Sequence, residues 1–227
     1  PFEDKIKGIK NLIIIPDGHL HYPPFETLVS DKSRTRYLVE DYKISYAPSA
    51  SSLINLLERK RKLKEKKDLL AFADPVYAFQ KMPGQEINAD RILREFYLEN
   101  GFAFTPLKYS GKEVKQIAKL FKKPYRDIFV GKKAREEILK KLSLTDYKII
   151  HFATHGLLDE DVVGRSGLVL TLDDDPVEDG FFQVREIYNS QLNADLVVLS
   201  ACQTGKGKLE KGEGVSGLSR SFLYAGA

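Results

Sequence analysis

Two stretches of this sequence decide which fold it can adopt: residues 146–156 read DYKIIHFATHG, and residues 194–202 read ADLVVLSAC. Both contain a nearly continuous apolar run with several β-branched residues, which is typical of a strand buried on both faces. Such strands occur mostly in parallel sheets that helices cover. The two stretches therefore predict strands of an α/β protein, and they lead to His155 and Cys202.

The rest of the chain alternates strand-like and helix-like patterns. Further strands are predicted in NLIIIPDG (11–18), DYKISY (41–46), KDLLAFADP (67–75), RDIFVG (126–131) and SGLVLTLDDD (166–175). Helices are predicted in SLINLLERKRKLK (52–64), GKEVKQIAKLF (111–121), KKAREEILKKL (132–142), VREIYNSQL (184–192) and EGVSGLSRSFLYAGA (213–227). Ser49, Ser51 and Ser52 are possible N-caps of the first of these helices.

This order predicts a three-layer α/β fold, in which a mostly parallel sheet carries helices on both faces. Two series of strands and helices meet near residue 107, and they predict two similar halves, residues 1–107 and 108–227. The sequence starts at Pro1 and stops at Ala227 in a way that is expected of part of a longer protein.

Composition narrows the class of protein. A content of 42% hydrophobic and 30% charged residues is ordinary for a soluble domain of 227 residues. The formal net charge of +4 favours neither nucleic acid nor a membrane as partner. A single cysteine cannot form an internal disulfide, which fits a reducing compartment and predicts a cytoplasmic protein.

His155 and Cys202 are the candidate catalytic residues. Reacting groups of open parallel sheets gather at the carboxyl ends of strands, where both residues are predicted to lie. A thiol is a good nucleophile only as the thiolate, and a nearby imidazole lowers the free-energy cost of forming it. The alternative is that Cys202 is a small, buried apolar residue, as many free cysteines are.

Residues around this pair are candidates for binding the reacting group and the substrate. Acyl transfer needs backbone N–H groups aimed at the developing oxyanion, and Gly156 lets a backbone approach without an intervening Cβ. The stretch 159–179 is rich in acidic residues, and its one basic residue is Arg165. These acidic residues either belong to two solvated loops or bind a basic side chain of a peptide substrate. The candidate substrate-binding residues are Asp159, Asp175, Gln203 and Glu213.

Neither a metal nor a nucleotide is expected as cofactor. His151 precedes His155 by four residues, but on a strand such a pair stands too far apart to share one metal ion. Residues 212–217 match G-x-G-x-x-G, yet they follow the predicted strand end at too great a distance for the tight turn of a dinucleotide site. Nucleotide binding there stays an alternative that a thermal-shift assay with nucleotides would test.

Three of these motifs together resemble the CHAT family of caspase-like domains, which are related to separases, caspases and gingipains. HFATHG (151–156) resembles the family's histidine motif, LVVLSACQTGKG (196–207) its cysteine motif, and GEGVSGLSRSFLYAGA (212–227) the helix that follows. LIIIPDGHLHYPPFETL (12–28), ISYAPSASSL (44–53) and LLAFADP (69–75) also resemble the family. The resemblance covers nearly the whole chain.

The resemblance implies a cysteine endopeptidase with a caspase-like fold in two lobes. His155 would be the base, Cys202 the nucleophile, and the N–H groups of Gly156 and Cys202 the oxyanion hole. Residues 1–107 would form a pseudo-caspase lobe that supports a catalytic lobe of residues 108–227. The family usually continues past the stretch that ends at Ala227 with another strand and further helices, so part of the sheet and cleft is expected beyond it.

The family also implies partners and a setting. These are a protein substrate, control by a tetratricopeptide-repeat region, activating partner or ligand, and a role in bacterial or archaeal defence or signalling. The Ser200-Ala201-Cys202-Gln203 motif departs from the caspase pattern, so a caspase's preference for aspartate is not implied. An alternative of another class is a catalytically silent scaffold that binds partners through its loops.

Overall fold

The structure is a computed structural model that describes residues 3–21, 23–30, 35–59, 66–77, 97, 99, 104–159, 163–173, 178–201 and 213–227. The strands are β1 (Asn11–Ile14), β2 (Lys43–Tyr46), β3 (Lys67–Ala73), β4 (Arg126–Val130), β5 (Tyr147–Ala153), β6 (His155–Leu157), β7 (Gly167–Val169), β8 (Phe181–Gln183) and β9 (Leu196–Leu199).

The α-helices are α1 (Glu3–Ile6), α2 (Leu38–Asp41), α3 (Ala50–Glu58), α4 (Ser110–Ala118), α5 (Glu136–Lys141), α6 (Val184–Asn189) and α7 (Glu213–Ala225). Short 3-10 helices span Gly18–His21, Phe25–Thr27, Lys123–Tyr125, Gly131–Lys133, Leu144–Asp146 and Val163–Arg165. Within the described residues, no helix is both long enough and apolar enough to cross a membrane.

The described residues form two compact units, of which the first contains α1 to α3 with β1 and β2. β1 and β2 pair in parallel, with Asn11 opposite Lys43. α3 begins after Ser49, whose hydroxyl oxygen accepts a hydrogen bond from the N–H of Ser52 at 3.1 Å. Ser49 is therefore the N-cap among the serines that precede this helix.

The second unit is built on a four-stranded sheet in the order β4-β3-β5-β9, in which every neighbouring pair is parallel. This confirms the prediction of an α/β protein with a parallel sheet. β3, from the part of the chain before residue 107, lies between β4 and β5. The caspase-like three-layer arrangement and the division into two similar lobes stay predictions.

Side chains of β3 alternate between the two faces of the parallel sheet, as strand geometry requires. Leu70 and Phe72 belong to a core cluster that also contains residues of α5, α6 and α7. Leu69, Ala71 and Ala73 belong to a second cluster with residues of α4. Helices therefore pack on both faces of the sheet, which explains why residues 69–73 are all fully buried.

A second sheet, with antiparallel pairing in the order β6-β7-β8, extends the fold where the parallel sheet ends. The sequence predicted one strand that runs as far as His155. In the structure, β5 ends at Ala153 and the chain enters β6 at His155. β6 and β8 are three residues long, which is too short for a recognisable period of apolar residues.

Candidate functional site

His155 lies at the junction of the two sheets. It follows β5 by two residues, begins β6 and pairs across the antiparallel sheet with Val169. Its side chain is almost completely buried, with 3% of the residue exposed. The histidine is therefore held on a regular strand, which favours one fixed orientation of its ring.

One nitrogen of the His155 ring has a hydrogen-bond partner and the other has none among the described residues. Nε2 lies 2.7 Å from the backbone carbonyl oxygen of Thr105. Because a carbonyl oxygen can only accept, Nε2 must carry the hydrogen, and this assigns the tautomer of the neutral ring. Nδ1 then holds the basic lone pair, and it is buried without a hydrogen-bond partner in the described part of the chain.

Two aromatic rings pack against the imidazole of His155. The ring of Tyr77 lies 5.1 Å from it between centroids, at an interplanar angle of 44°. The ring of Phe104, the residue before Thr105, lies 6.0 Å from it at 50°. These rings belong to a small apolar cluster with Tyr97 and Phe181, next to the antiparallel sheet.

The chain that leads to Cys202 runs beside the chain that leads to His155. β9 pairs in parallel with β5, with Leu199 opposite Phe152. Beyond the strand, the N–H of Ser200 donates to the carbonyl oxygen of Phe152 at 2.8 Å. The strands that lead to His155 and to Cys202 are therefore neighbours in the parallel sheet, although Cys202 itself lies outside the described residues.

The other residues named from the sequence fall into two groups. Gly156 is buried in β6 opposite Leu168, and the N–H of Asp159 donates to the hydroxyl oxygen of Ser166 at 2.9 Å. Glu213 is the first residue of α7. Asp175 and Gln203 lie outside the described residues, so the roles given to all of these in oxyanion and substrate binding stay predictions.

His151 has a partner of its own. It lies in β5 with 5% of the residue exposed, and its Nε2 is 2.9 Å from the carboxylate oxygen Oε1 of Glu113 in α4. This contact joins the parallel sheet to the helix that covers it. Among the residues that the structure describes, no three His, Cys, Asp or Glu side chains are grouped as metal ligands would be.

Several residues of the acid-rich stretch 159–179 pair with basic residues near α5. Arg135 forms an ion pair with Asp173, and the Nζ of Lys140 lies 2.7 Å from a carboxylate oxygen of Glu178. These acidic residues are half-buried rather than fully solvated. Their partners lie 38 residues away in the sequence, so the local composition could not indicate them.

Burial also changes proton affinities in this region. Glu136, at the start of α5, is 2% exposed, and burial together with the nearby Asp179 carboxylate raises its pKa to about 9. Burial likewise raises the pKa of Asp179. Burial alone would lower the pKa of Lys140, but hydrogen bonds to Glu136, Glu178 and Glu186 raise it instead.

Three groups at the site were not named from the sequence: the carbonyl of Thr105 and the rings of Tyr77 and Phe104. Tyr77 follows β3, a neighbour of β5, so the rule that sites gather at carboxyl strand ends could have indicated it. The Thr105 contact uses a backbone atom, which any residue possesses. Its role therefore depends on the tertiary structure alone.

In a comparison with known protein families, one family profile matches the whole chain. Residues 1–227 match the family profile of the CHAT domain. A search of curated proteins returned no match. Both the parallel sheet and the His155 site lie inside the matched region.

Proposed function

Because this chain belongs to the CHAT domain family, which is part of the caspase-like cysteine peptidase clan, we propose that it is a cysteine endopeptidase in which His155 activates Cys202. The observation that carries this proposal is the state of the His155 ring. Its Nε2–H is engaged by Thr105, and its basic Nδ1 is buried with no hydrogen-bond partner among the described residues. A buried base with an open lone pair, beside the strand that leads to the only cysteine, is suited to accept the thiol proton.

The first step is formation of the thiolate. Nδ1 of His155 accepts the proton of the Cys202 thiol, which leaves a thiolate and a positively charged imidazolium. The carbonyl of Thr105 continues to accept from Nε2–H, and hydrogen bonds to a charged donor are stronger than those to a neutral one. Thr105 therefore stabilises the imidazolium and helps to form the ion pair.

Acyl transfer then follows in two halves. The Cys202 sulfur attacks the scissile carbonyl carbon, while the N–H groups of Gly156 and Cys202 stabilise the oxyanion of the tetrahedral intermediate. His155 gives the proton on Nδ1 to the leaving amine as the peptide bond breaks. In the second half, Nδ1 takes a proton from water, the hydroxide attacks the thioester, and the acid product leaves with the thiol restored.

The rate of alkylation of Cys202 against pH tests the proposal, and because Cys202 is the only cysteine the label reports one site. We expect rapid alkylation below pH about 8.5, the ordinary thiol pKa, and loss of that reactivity in His155→Ala. His151→Gln is the matched control, since it changes a buried histidine of the same segment whose partner is Glu113. Equal rates in all three proteins would contradict the His155–Cys202 pair.

A second measurement separates a peptidase from a silent scaffold. Digestion of a peptide library should yield cleaved peptides with the unaltered chain and none with Cys202→Ser. A reactive thiol that leaves every peptide whole at high enzyme concentration would favour the scaffold.

We also propose a protein substrate, a cytoplasmic location and control of cleavage by a repeat region or activating partner. The family resemblance supports the substrate and the control, and the single cysteine supports a reducing compartment. Peptide cleavage by the chain alone and with an added tetratricopeptide-repeat region or activating partner compares the two states. Equal rates under all conditions would contradict control by such a region or partner.

A further inference from the structure

Tyr77 sits where it can determine the orientation of the His155 ring. Its own position is set by the segment after β3, which is tied to neighbouring elements at several points. The N–H of Asp74 donates to the hydroxyl oxygen of Ser110 at 2.9 Å, and Asp74 adopts a left-handed φ of 50° that turns the chain. The N–H of Leu172 donates to the carbonyl oxygen of Val76 at 2.9 Å. These contacts leave Tyr77 little freedom to move.

The side chain of Tyr77 contacts both the ring of His155 and the strand that pairs with it. Its ring packs at 5.1 Å on the imidazole. Its hydroxyl donates to the carbonyl oxygen of Val169 at 3.2 Å, and Val169 is the residue opposite His155 in the antiparallel sheet. Burial raises the pKa of Tyr77 above its ordinary value, so the hydroxyl stays protonated as the donor that this contact needs.

Phe104 completes the enclosure of the imidazole. Its ring lies 5.9 Å from that of Tyr77 and 6.0 Å from that of His155, so the three rings are in mutual contact. To make a half-turn about its Cβ–Cγ bond, the imidazole must pass through angles at which it meets these rings. The completed half-turn places Cε1 where Nε2 was and so breaks the hydrogen bond to Thr105. The same half-turn would place Cδ2 where Nδ1 was, so the basic lone pair would leave its present position.

We propose that Tyr77 is a positioning residue, whose ring holds the His155 imidazole in the orientation that keeps Nε2–H on Thr105 and leaves Nδ1 to act as the base. This rests on the proposed function for its consequence in catalysis. The orientation of the ring is a property of the folded protein, however, and it can be measured without any substrate.

The first test is nitrogen NMR of the histidine rings in a Cys202→Ser background, with His155→Ala used to assign the His155 signals among the four histidines. We expect the unaltered site and Tyr77→Phe to show the Nε2–H tautomer, because both retain an aromatic ring. Tyr77→Leu should show averaged or mixed tautomers. An unchanged Nε2–H signal in a folded Tyr77→Leu would overturn the proposal.

The second test is the rate of alkylation of Cys202 against pH, with Cys202 intact. At neutral pH we expect Tyr77→Phe to stay within about 3-fold of the unaltered protein and Tyr77→Leu to fall by at least about 10-fold, since small displacements of a catalytic group have large effects on rate. Equal rates for Tyr77→Leu and the unaltered protein would also overturn it.

Tyr147→Leu is the matched control. Tyr147 is a buried tyrosine, 3% exposed, whereas Tyr77 is partly buried. The hydroxyl of Tyr147 also donates to an oxygen, that of Asp127 at 2.6 Å, but Tyr147 lies at the opposite end of β5. We expect Tyr147→Leu to lower the stability of the protein without changing the His155 tautomer or the dependence of Cys202 alkylation on pH. If Tyr147→Leu changes either measurement as much as Tyr77→Leu does, the cause is a general loss of packing in the protein, and the proposal is overturned. If Tyr77→Leu fails to fold, Tyr77→Met and Phe104→Leu carry the same two measurements.

The two proposals fail in different ways. If His155→Ala leaves the rate of Cys202 alkylation unchanged while Tyr77→Leu gives a mixture of His155 tautomers, the peptidase mechanism is wrong and the positioning role holds. If Tyr77→Leu leaves the His155 tautomer unchanged while His155→Ala lowers the rate of Cys202 alkylation, the positioning role is wrong and the mechanism holds.

Discussion

Glu136→Gln should change how the stability of the protein depends on pH. Glu136 is buried at the start of α5, where Oε2 accepts the N–H of Gly180 at 2.7 Å and Oε1 lies 2.8 Å from the Nζ of Lys140. Burial together with the nearby Asp179 carboxylate raises its pKa to about 9. At neutral pH the folded protein therefore keeps a proton on Glu136 that the unfolded chain, with an ordinary pKa of about 4.3, has lost.

The sign of the effect follows from this difference in bound protons. Stability rises with pH where the unfolded state binds more protons, so it falls with pH here, where the folded state binds one more. One proton corresponds to about 1.4 kcal/mol of unfolding free energy per pH unit at most. Between pH 6 and pH 8 the contribution of Glu136 should therefore decline by up to about 3 kcal/mol.

Glutamine cannot ionise, but it resembles the protonated carboxyl group. Its amide oxygen can accept the Gly180 N–H, but its NH₂ group then stands where Oε1 faces Lys140, so the prediction concerns the slope of stability against pH and not its absolute value. We expect the unfolding free energy of Glu136→Gln to fall less steeply from pH 6 to pH 8 than that of the unaltered protein, by up to about 1.4 kcal/mol per pH unit.

Urea unfolding at pH 6, 7 and 8 measures these free energies. Glu137→Gln is the matched control, since Glu137 is the next residue of the same helix and its carboxylate forms an ion pair with Lys141 towards solvent. The control should keep the slope of the unaltered protein. If the unfolding free energy changes with pH by the same slope in Glu136→Gln and in the unaltered protein, the reasoning is refuted. Equal slopes would mean that Glu136 carries no extra proton in the folded state.

Two further substitutions test the packing that supports the His155 site. At Gly167 in β7, an added Cβ would lie 2.5 Å from the carbonyl oxygen of Phe182, so Gly167→Ala should lower the unfolding free energy by about 1–3 kcal/mol. Gly164→Ala, where a Cβ would meet no atom within 4 Å, should change it by less than about 0.5 kcal/mol, and similar losses for the two would contradict the steric argument. Phe152→Ala removes a fully buried ring that packs on Phe72 at 5.9 Å, and thermal or urea unfolding should show a loss of about 3–5 kcal/mol; a loss below about 1 kcal/mol would mean that this core is not tightly packed.

The sequence by itself determined that β3, β5 and β9 are strands, although it did not separate them from the segments that form the two smaller sheets. The apolar runs at β3, β5 and β9 are local signals, because a strand buried on both faces needs apolar residues at successive positions. The pairing of β5 with β9, the strands that lead to His155 and to Cys202, is a finding of the structure. The sequence predicted a strand over residues 166–175, which contains β7, but not the antiparallel sheet of β6, β7 and β8, because the three-residue strands β6 and β8 are too short to show a pattern.

Only the tertiary structure decided the chemistry available around His155. The residue that accepts from its Nε2 lies 50 positions away and uses a backbone carbonyl, which carries no signal in the amino-acid sequence. The same holds for Glu136, whose buried carboxyl group meets Gly180 from 44 positions away. Burial patterns arise from neighbouring residues and can be read locally. Which nitrogen keeps a lone pair, and which acid keeps a proton, depends on atoms that folding brings together from distant parts of the chain.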